Sequence, residues 1–312
     1  MLPFLLQPYL KKVIWGGSSL AAFKGLSCSL DSVGESWEVS AMPGCESIVA
    51  SGEFAGSNLA DLCRSHGREL LGDAAFERTG GAFPLLIKFI DAADDLSVQV
   101  HPTDRLAARR HGCLGKSEMW YIIATQPGSR LAAGLNRAFD PEAFERSVAD
   151  GSFNQALAWH DTHPGDAFYL PAGSVHAIGR GNLLLEVQQP SDITYRIYDY
   201  DRRDADGNRR PLAIAEARDA IDYTPGHNYR LRPEGSAIVA TRHFSVWRRR
   251  IEPDCPVDVG CDMVTAVLVV EGAIDALSDG HSLTVGRGHS LLIPAGARAR
   301  LCGDGVAIVV TP

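Results

Sequence analysis

The sequence predicts a mainly β protein built as two tandem jelly-roll barrels, with a few helices inserted in and around the first. Three observations carry this. The 312 residues are 45% hydrophobic, enough to bury the core of one large domain or two modest ones. The 31 glycines and 17 prolines tend to fall between short β-prone runs, the punctuation of an all-β chain. A unit also repeats: Gly165-Asp166-Ala167-Phe168-Tyr169-Leu170-Pro171-Ala172-Gly173 returns as Gly288-His289-Ser290-Leu291-Leu292-Ile293-Pro294-Ala295-Gly296. Each copy is a glycine turn, a short apolar strand and Pro-Ala-Gly, a unit common in double-stranded β-helix jelly rolls, the cupin barrels.

Taken in order, strands are expected at Trp37–Ala41, Leu85–Ile90, Leu96–His101, Glu118–Ala124, Ala167–Leu170, Leu183–Gln188 and Ile193–Tyr198. A second set follows at Ala237–Ala240, Phe244–Arg249, Met263–Val270, Ser282–Val285, Ser290–Ile293 and Val306–Val310. Between them, Ser57 can cap a helix over Asn58–Leu71 and Thr103 one over Asp104–His111. Asp140 and Pro141 open Glu142–Ala149, and Pro211 opens Leu212–Ile221. The Pro- and Gly-containing stretch 224–235 reads as a linker. The expected division is a metal-binding barrel with helical insertions over 1–225 and a second, metal-free barrel over 236–312. Aligning Pro171 with Pro294 sets His176 opposite Ala299, so the repeat differs where chemistry would sit.

A net charge of −8, spread along the chain, argues against a nucleic-acid or anionic-membrane partner. An anionic substrate then requires a local basic cluster. No segment reads as a signal peptide or a membrane span. Seven scattered cysteines without a Cys-x-x-Cys pair fit reduced thiols in the cytosol.

The candidate chemistry starts on one strand. In Leu96–His101 successive side chains alternate between faces. Leu96, Val98 and Val100 take the apolar face; Ser97, Gln99 and His101 take the other. Three polar groups on one strand face need water or a ligand, since burying each unpaired costs about 1–3 kcal/mol. Glu118 opens the next strand after a Gly115-Lys116-Ser117 turn, and His176 follows the Pro-Ala-Gly turn. Cupin strands bring such positions together inside the barrel. Two imidazoles and a carboxylate, with Gln99 adding a neutral oxygen, suit zinc or a neighbouring first-row ion. Later, Glu186 and Gln188 share a strand face opposite Leu183, Leu185 and Val187. Thr194 and Arg196 likewise oppose Ile193, Tyr195 and Ile197. An interior arginine needs an anion, either Glu186 or a substrate. The other histidines read as surface or core residues, and the pairs Arg109-Arg110 and Arg209-Arg210 as solvated surface.

These residues carry a resemblance. Trp15-Gly16-Gly17, Gly34-Glu35-Ser36-Trp37-Glu38, Phe83-Pro84-Leu85-Leu86-Ile87-Lys88, Ser97-Val98-Gln99-Val100-His101-Pro102, Gly115-Lys116-Ser117-Glu118-Met119-Trp120 and Pro171-Ala172-Gly173-Ser174-Val175-His176-Ala177 keep their order. So does Glu186 through Arg202. The sequence resembles the type I mannose-6-phosphate isomerases in their short bacterial form, over roughly residues 1–225, with a looser match beyond. The resemblance implies an aldose–ketose isomerase acting on a small phosphosugar through a cis-enediol. It implies one divalent ion per chain, zinc or another first-row ion, on Gln99, His101, Glu118 and His176. It places Arg196, Lys116 and Glu186 at catalytic positions. Ser97 and Lys88 are expected to contact substrate, and Arg202 to lie near the phosphate, where longer relatives carry a lysine. A cytoplasmic monomer or homodimer is expected. The base is left open between Glu186 and Lys116. The competing readings are an iron dioxygenase, disfavoured because Gln99-Val100-His101 replaces His-x-His, a sugar-binding cupin without turnover, and an isomerase of another aldose.

Overall fold

The strands form three antiparallel sheets, of nine, six and five strands, among the described residues, and the central ones are buried on both faces. The computed structural model describes residues 1–312 apart from Cys28, Ser29 and Ala205. Cys28, one of the cysteines read above as reduced, lies outside the described residues; the other six are free thiols.

The six-stranded sheet runs, strand by strand, Ala167–Leu170, Glu118–Thr125, Asn182–Gln188, Leu86–Ala92, Tyr9–Gly17 and Val33–Val39. The five-stranded sheet orders Tyr195–Tyr198, Val98–Val100, His176–Ile178, Arg130–Leu135 and Leu157–Asp161. Their facing sides share one apolar layer, with Trp120, Ile122 and Leu184 from the first against Leu131, Ala133 and Ile178 from the second. This is the first barrel. The nine-stranded sheet curls into the second around Ile251, Val267, Leu291, Ile293, Ala299 and Leu301. The two barrels join back to back: Ile87, Phe89, Met119 and Val187 on the outer side of the six-stranded sheet pack with Leu268, Leu292 and Ile308.

The repeat is a repeat of turn geometry. Gly165 and Gly288 sit at φ 91° and 79°, Gly173 and Gly296 at φ 98° and 77°, conformations that a Cβ resists. The expected helices at 104–111 and 142–149 form as Asp104–His111 and Pro141–Ala149, capped by Thr103 and Asp140. The helix expected from 58 starts one residue later, at Leu59–Leu71, because Asn58 itself caps it. Pro211 opens nothing directly; the last helix is Ile214–Ala220, without a side-chain cap.

Several strands escape a reading by local pattern. Tyr9–Gly17, Arg130–Leu135, Leu157–Asp161 and Val257–Val259 form beyond the expected set, although proline or glycine stands near each. Phe4–Gln7 pairs with Ser290–Ile293, so the chain's first strand belongs to the C-terminal sheet. The stretch read as a linker is laid along the edge strand Ala167–Leu170: Tyr169 N donates to Tyr229 O at 2.9 Å and Leu231 N to Ala167 O at 2.8 Å. Tyr229 is buried there and covers an otherwise open sheet edge. Among the described residues, no helix is long and apolar enough to cross a membrane.

Candidate metal centre and active site

Cross-strand register collects the polar positions into two facing rows. On the five-stranded sheet Arg196 pairs with Gln99, and Gln99 with His176. On the six-stranded sheet Trp37 pairs with Lys88, Lys88 with Glu186, and Glu186 with Trp120. Glu118 sits beside Gln188 one row away. Because side chains at paired positions project to the same face, both rows point into the first barrel.

At their meeting point lie His101, Glu118 and His176, all buried, with candidate donor atoms within 4.8 Å of one another. His176 Nε2 is 3.3 Å from Glu118 Oε1, and His101 Nε2 is 3.4 Å from Oε2. Each imidazole is oriented from behind. His101 Nδ1–H donates to Ile193 O at 2.9 Å, and His176 Nδ1–H to Ser174 O at 2.8 Å. Both Nε2 lone pairs therefore face the carboxylate. The local chain enforces this. Gly173 N donates to His101 O at 2.9 Å, which docks the Pro-Ala-Gly turn against the end of the His101 strand. Glu118 is delivered by a braced loop: Asp104 Oδ1 accepts from Gly115 N and Gln189 Nε2, and Gln189 Oε1 accepts from Ser117 N, each at 2.9 Å.

The donors fit a cation. His101 Nε2 and both Glu118 oxygens are buried without a hydrogen-bond partner, a costly state unless something else fills the centre. Burial pushes the Glu118 carboxyl up, but Lys116, His176 and His101 outweigh it and hold it well below the usual carboxylate range. Burial and then Lys116 push His101 down to about 3. Burial lowers His176 as well. Two neutral imidazoles and one ionised carboxylate result, the protonation state a first-row divalent ion requires. Gln99 reaches this centre with its amide nitrogen, 3.2 Å from His176 Nε2, while its Oε1 accepts from Ser97 Oγ at 3.3 Å.

A cavity of about 310 Å³ opens beside the donors, lined by Gln99, Lys116, Glu186, Lys88, Glu35 and Arg196 among others, within the usual range for small ligands. Roomier grooves exist elsewhere, such as the 720 Å³ one past Met42, Cys63 and Phe83, but they are mostly apolar and hold no donor cluster. The predicted residues divide as follows. Lys88 is buried, its Nζ 3.3 Å from both Glu35 Oε2 and Glu186 Oε1. Burial alone lowers its pKa, but the two carboxylates prevail and raise it. Glu186 Oε2 accepts from Trp120 Nε1 at 3.0 Å. Lys116 Nζ is 3.3 Å from Glu118 Oε2. Ser97 lines the cavity. Arg196 also lines it, has an unpartnered Nε, and donates Nη1 to Pro211 O at 3.0 Å. Arg202 is not part of the lining; it is committed to Asp199 at 2.7 Å and Asp94 at 3.4 Å.

Four charged lining residues were not among those expected from sequence: Lys11, Glu35, Asp192 and Arg210. Alternation along Lys11, Val13, Trp15 and along Glu35, Trp37 was the available signal. Arg210, read above as solvated surface, had none.

A jelly-roll barrel with an interior His–Glu–His centre beside a charged cavity is a metal-site cupin. Comparison with known proteins narrows the class. The family profile "Phosphomannose isomerase type I, catalytic domain" matches residues 4–121. Mannose-6-phosphate isomerases of Streptococcus mutans and Bacillus subtilis are 34% and 35% identical, covering 94% of this chain and 92% and 93% of those proteins. A crystal structure of the Bacillus subtilis mannose 6-phosphate isomerase superposes with a TM-score of 0.89 at 32% identity, covering 99% of each chain. The chain belongs to the type I phosphomannose isomerase family.

Proposed function

We propose that this enzyme interconverts mannose-6-phosphate and fructose-6-phosphate, with one zinc ion held by Gln99, His101, Glu118 and His176. The observation that carries the proposal is the juxtaposition of a buried, cation-seeking donor set with a cavity whose walls combine lysines, a guanidinium and carboxylates. Zinc is chosen because two imidazoles and a carboxylate are its habitual ligands.

The reaction moves one proton from C2 to C1 and another from O2 to O1 through a cis-enediol, with no net gain or loss. A bound divalent ion supplies Lewis acidity to the two oxygens where charge develops. Glu186 is our proton carrier. Trp120 fixes one of its oxygens, and Lys88 Nζ lies 3.3 Å from the other. It takes the C2 proton and returns it to C1 on the same face. Lys116 hydrogen-bonds the sugar oxygens. Arg196, on the cavity wall beside Gln99, presents positive charge to the bound substrate. Ser97 and Lys88 orient the sugar. We assign the chemistry to residues 1–225 and a structural role to 236–312, because the second barrel's interior is apolar around Ala299. The free thiols suit a reducing compartment, and we place the chain in the cytosol.

The test is a coupled assay of mannose-6-phosphate conversion to fructose-6-phosphate, on protein as purified, after chelation and after zinc is restored. Activity lost and regained with zinc is expected. Protein with metal demonstrably bound and no turnover would sink the substrate assignment.

A further inference from the structure

The cavity beside the metal donors is lined by more charge than the reaction centre uses. Its cations are Lys11, Lys88, Lys116, Arg196 and Arg210, against the carboxylates Glu35, Glu186 and Asp192. Lys88 is neutralised by Glu35 and Glu186, and Lys11 lies 3.6 Å from Asp192. Arg196 lines the cavity with no carboxylate in salt-bridge reach among the described residues, and Arg210 lines it as well, in a chain whose overall charge is −8.

The two guanidiniums are built as a pair. Arg196 donates to the carbonyl of Pro211, the residue after Arg210, at 3.0 Å. Arg210 donates Nε to Asp199 Oδ2 at 2.7 Å and Nη2 to Asp199 Oδ1. No described residue takes its Nη1. Asp199 also accepts from Arg202 at 2.7 Å, so one carboxylate holds two arginines, and Asp94 gives Arg202 a second acidic partner. Four of the five Arg202 donor hydrogens are committed: Nε to the Asp199 carbonyl, Nη1 to Asp94 and the Asp95 carbonyl, and Nη2 to Asp199 Oδ1. The chain after Asp199 is held in an uncommon form, with Tyr200 and Asp201 at φ 56° and 55°, which costs of order 1–3 kcal/mol each. That turn brings both arginines onto one aspartate.

We propose that Arg210, together with Arg196, receives the phosphate of the sugar, and that Asp199 and Arg202 are positioning residues for Arg210. This rests on the isomerase reading for the identity of the sugar, but not for the anion. A phosphate monoester carries close to two negative charges at neutral pH, and a guanidinium with a free edge matches it geometrically.

The test compares wild type with Arg210→Gln, Arg210→Lys and Arg202→Gln as zinc-loaded proteins. Two readouts are used: KM and kcat for mannose-6-phosphate, and calorimetric binding of inorganic phosphate. A hydrogen bond to a charged group contributes about 1.5–3 kcal/mol, so Arg210→Gln is expected to raise KM and weaken phosphate binding by roughly 10- to 100-fold, with kcat less affected. Arg210→Lys should fall between, and it stands in if the glutamine variant does not fold. Arg202→Gln should weaken binding less than Arg210→Gln, because both Arg210 hydrogen bonds to Asp199 remain. Wild type that does not bind phosphate, Arg210 variants within twofold of wild type in both readouts, or a larger effect in Arg202→Gln would each overturn the proposal. Phosphate binding that depends on Arg210 in a protein inactive on mannose-6-phosphate would support the anion seat while removing the substrate reading.

Discussion

Replacing Lys88 by methionine isolates the electrostatic logic of the cavity wall. The two side chains have similar length, so packing is nearly conserved and the ammonium is what disappears. In the native protein Lys88 and Glu186 are each 3% exposed, and Glu35 is 9% exposed. Each ion pair spans 3.3 Å. At an effective dielectric constant of about 20, a pair at that separation attracts by roughly 5 kcal/mol before desolvation is charged against it. Removing one member of a buried pair leaves an uncompensated charge and typically destabilises by about 3–5 kcal/mol. Here two carboxylates are left behind, so the upper end is expected. At roughly 2 °C per kcal/mol for a chain of this size, the thermal midpoint should fall by about 6–10 °C at pH 7.5. The pH dependence has a definite sign. Burial pushes the Glu35 carboxyl up, but Lys88, Lys11 and the Trp37 N–H hold it below its ordinary value of 4.5. In wild type Glu35 therefore contributes stability that is full above pH 4.5 and lost as pH falls through the lower native value. In Lys88→Met burial gains the upper hand. The native value then rises above 4.5, and the contribution is lost as pH increases. The gap between wild type and variant should widen from pH 5 to pH 8, and Glu35→Gln in the variant background should recover part of it. Differential scanning calorimetry reads all of this. A shift below 2 °C at pH 7.5, or a gap that narrows as pH rises, would refute the reasoning.

Three further outcomes are expected. Glu186→Gln should lower turnover by about 10²–10⁴-fold with metal content unchanged; undiminished turnover removes Glu186 from the proton path. Lys24→Met should destabilise by roughly 3–5 kcal/mol in urea melts, because Lys24 Nζ, 2.6 Å from Glu38 Oε1 and bonded to the Gly288 carbonyl, ties the two barrels through a buried pair; a loss under 1 kcal/mol would make that tie irrelevant. Ala299→His, which restores the repeat's histidine in the second barrel, should still yield one metal per chain and destabilise by about 1–3 kcal/mol through overpacking of the apolar interior; a second tightly bound zinc would contradict the structural role given to that barrel.

The metal donors were legible because two local signals coincide with them. Ser97, Gln99 and His101 declare a polar strand face by alternation, and Gly173 declares the turn that precedes His176 through a φ of 98°. The strand Ala167–Leu170 and its counterpart Ser290–Ile293 form over the expected residues for the same reason: glycine turns bound them on both sides. Tyr9–Gly17 lies between Pro8 and Ser18, but the adjacent charges Lys11 and Lys12 break its alternation, and it becomes a strand where Val33–Val39 offers it a hydrogen-bonding edge.

What the sequence determined by itself is thus local: the alternation, the turns, the caps, and the residue types able to bind a cation. What only the tertiary structure decided is which charges neutralise one another. Lys88 and Arg202 looked alike as basic residues near a motif. The fold buries Lys88 between two carboxylates and spends Arg202 on Asp199, while it turns Arg210 from apparent surface onto the cavity wall. Charge pairing depends on distances between strands far apart in the chain and on burial, which sets the local dielectric. Neither quantity is written in the order of the residues.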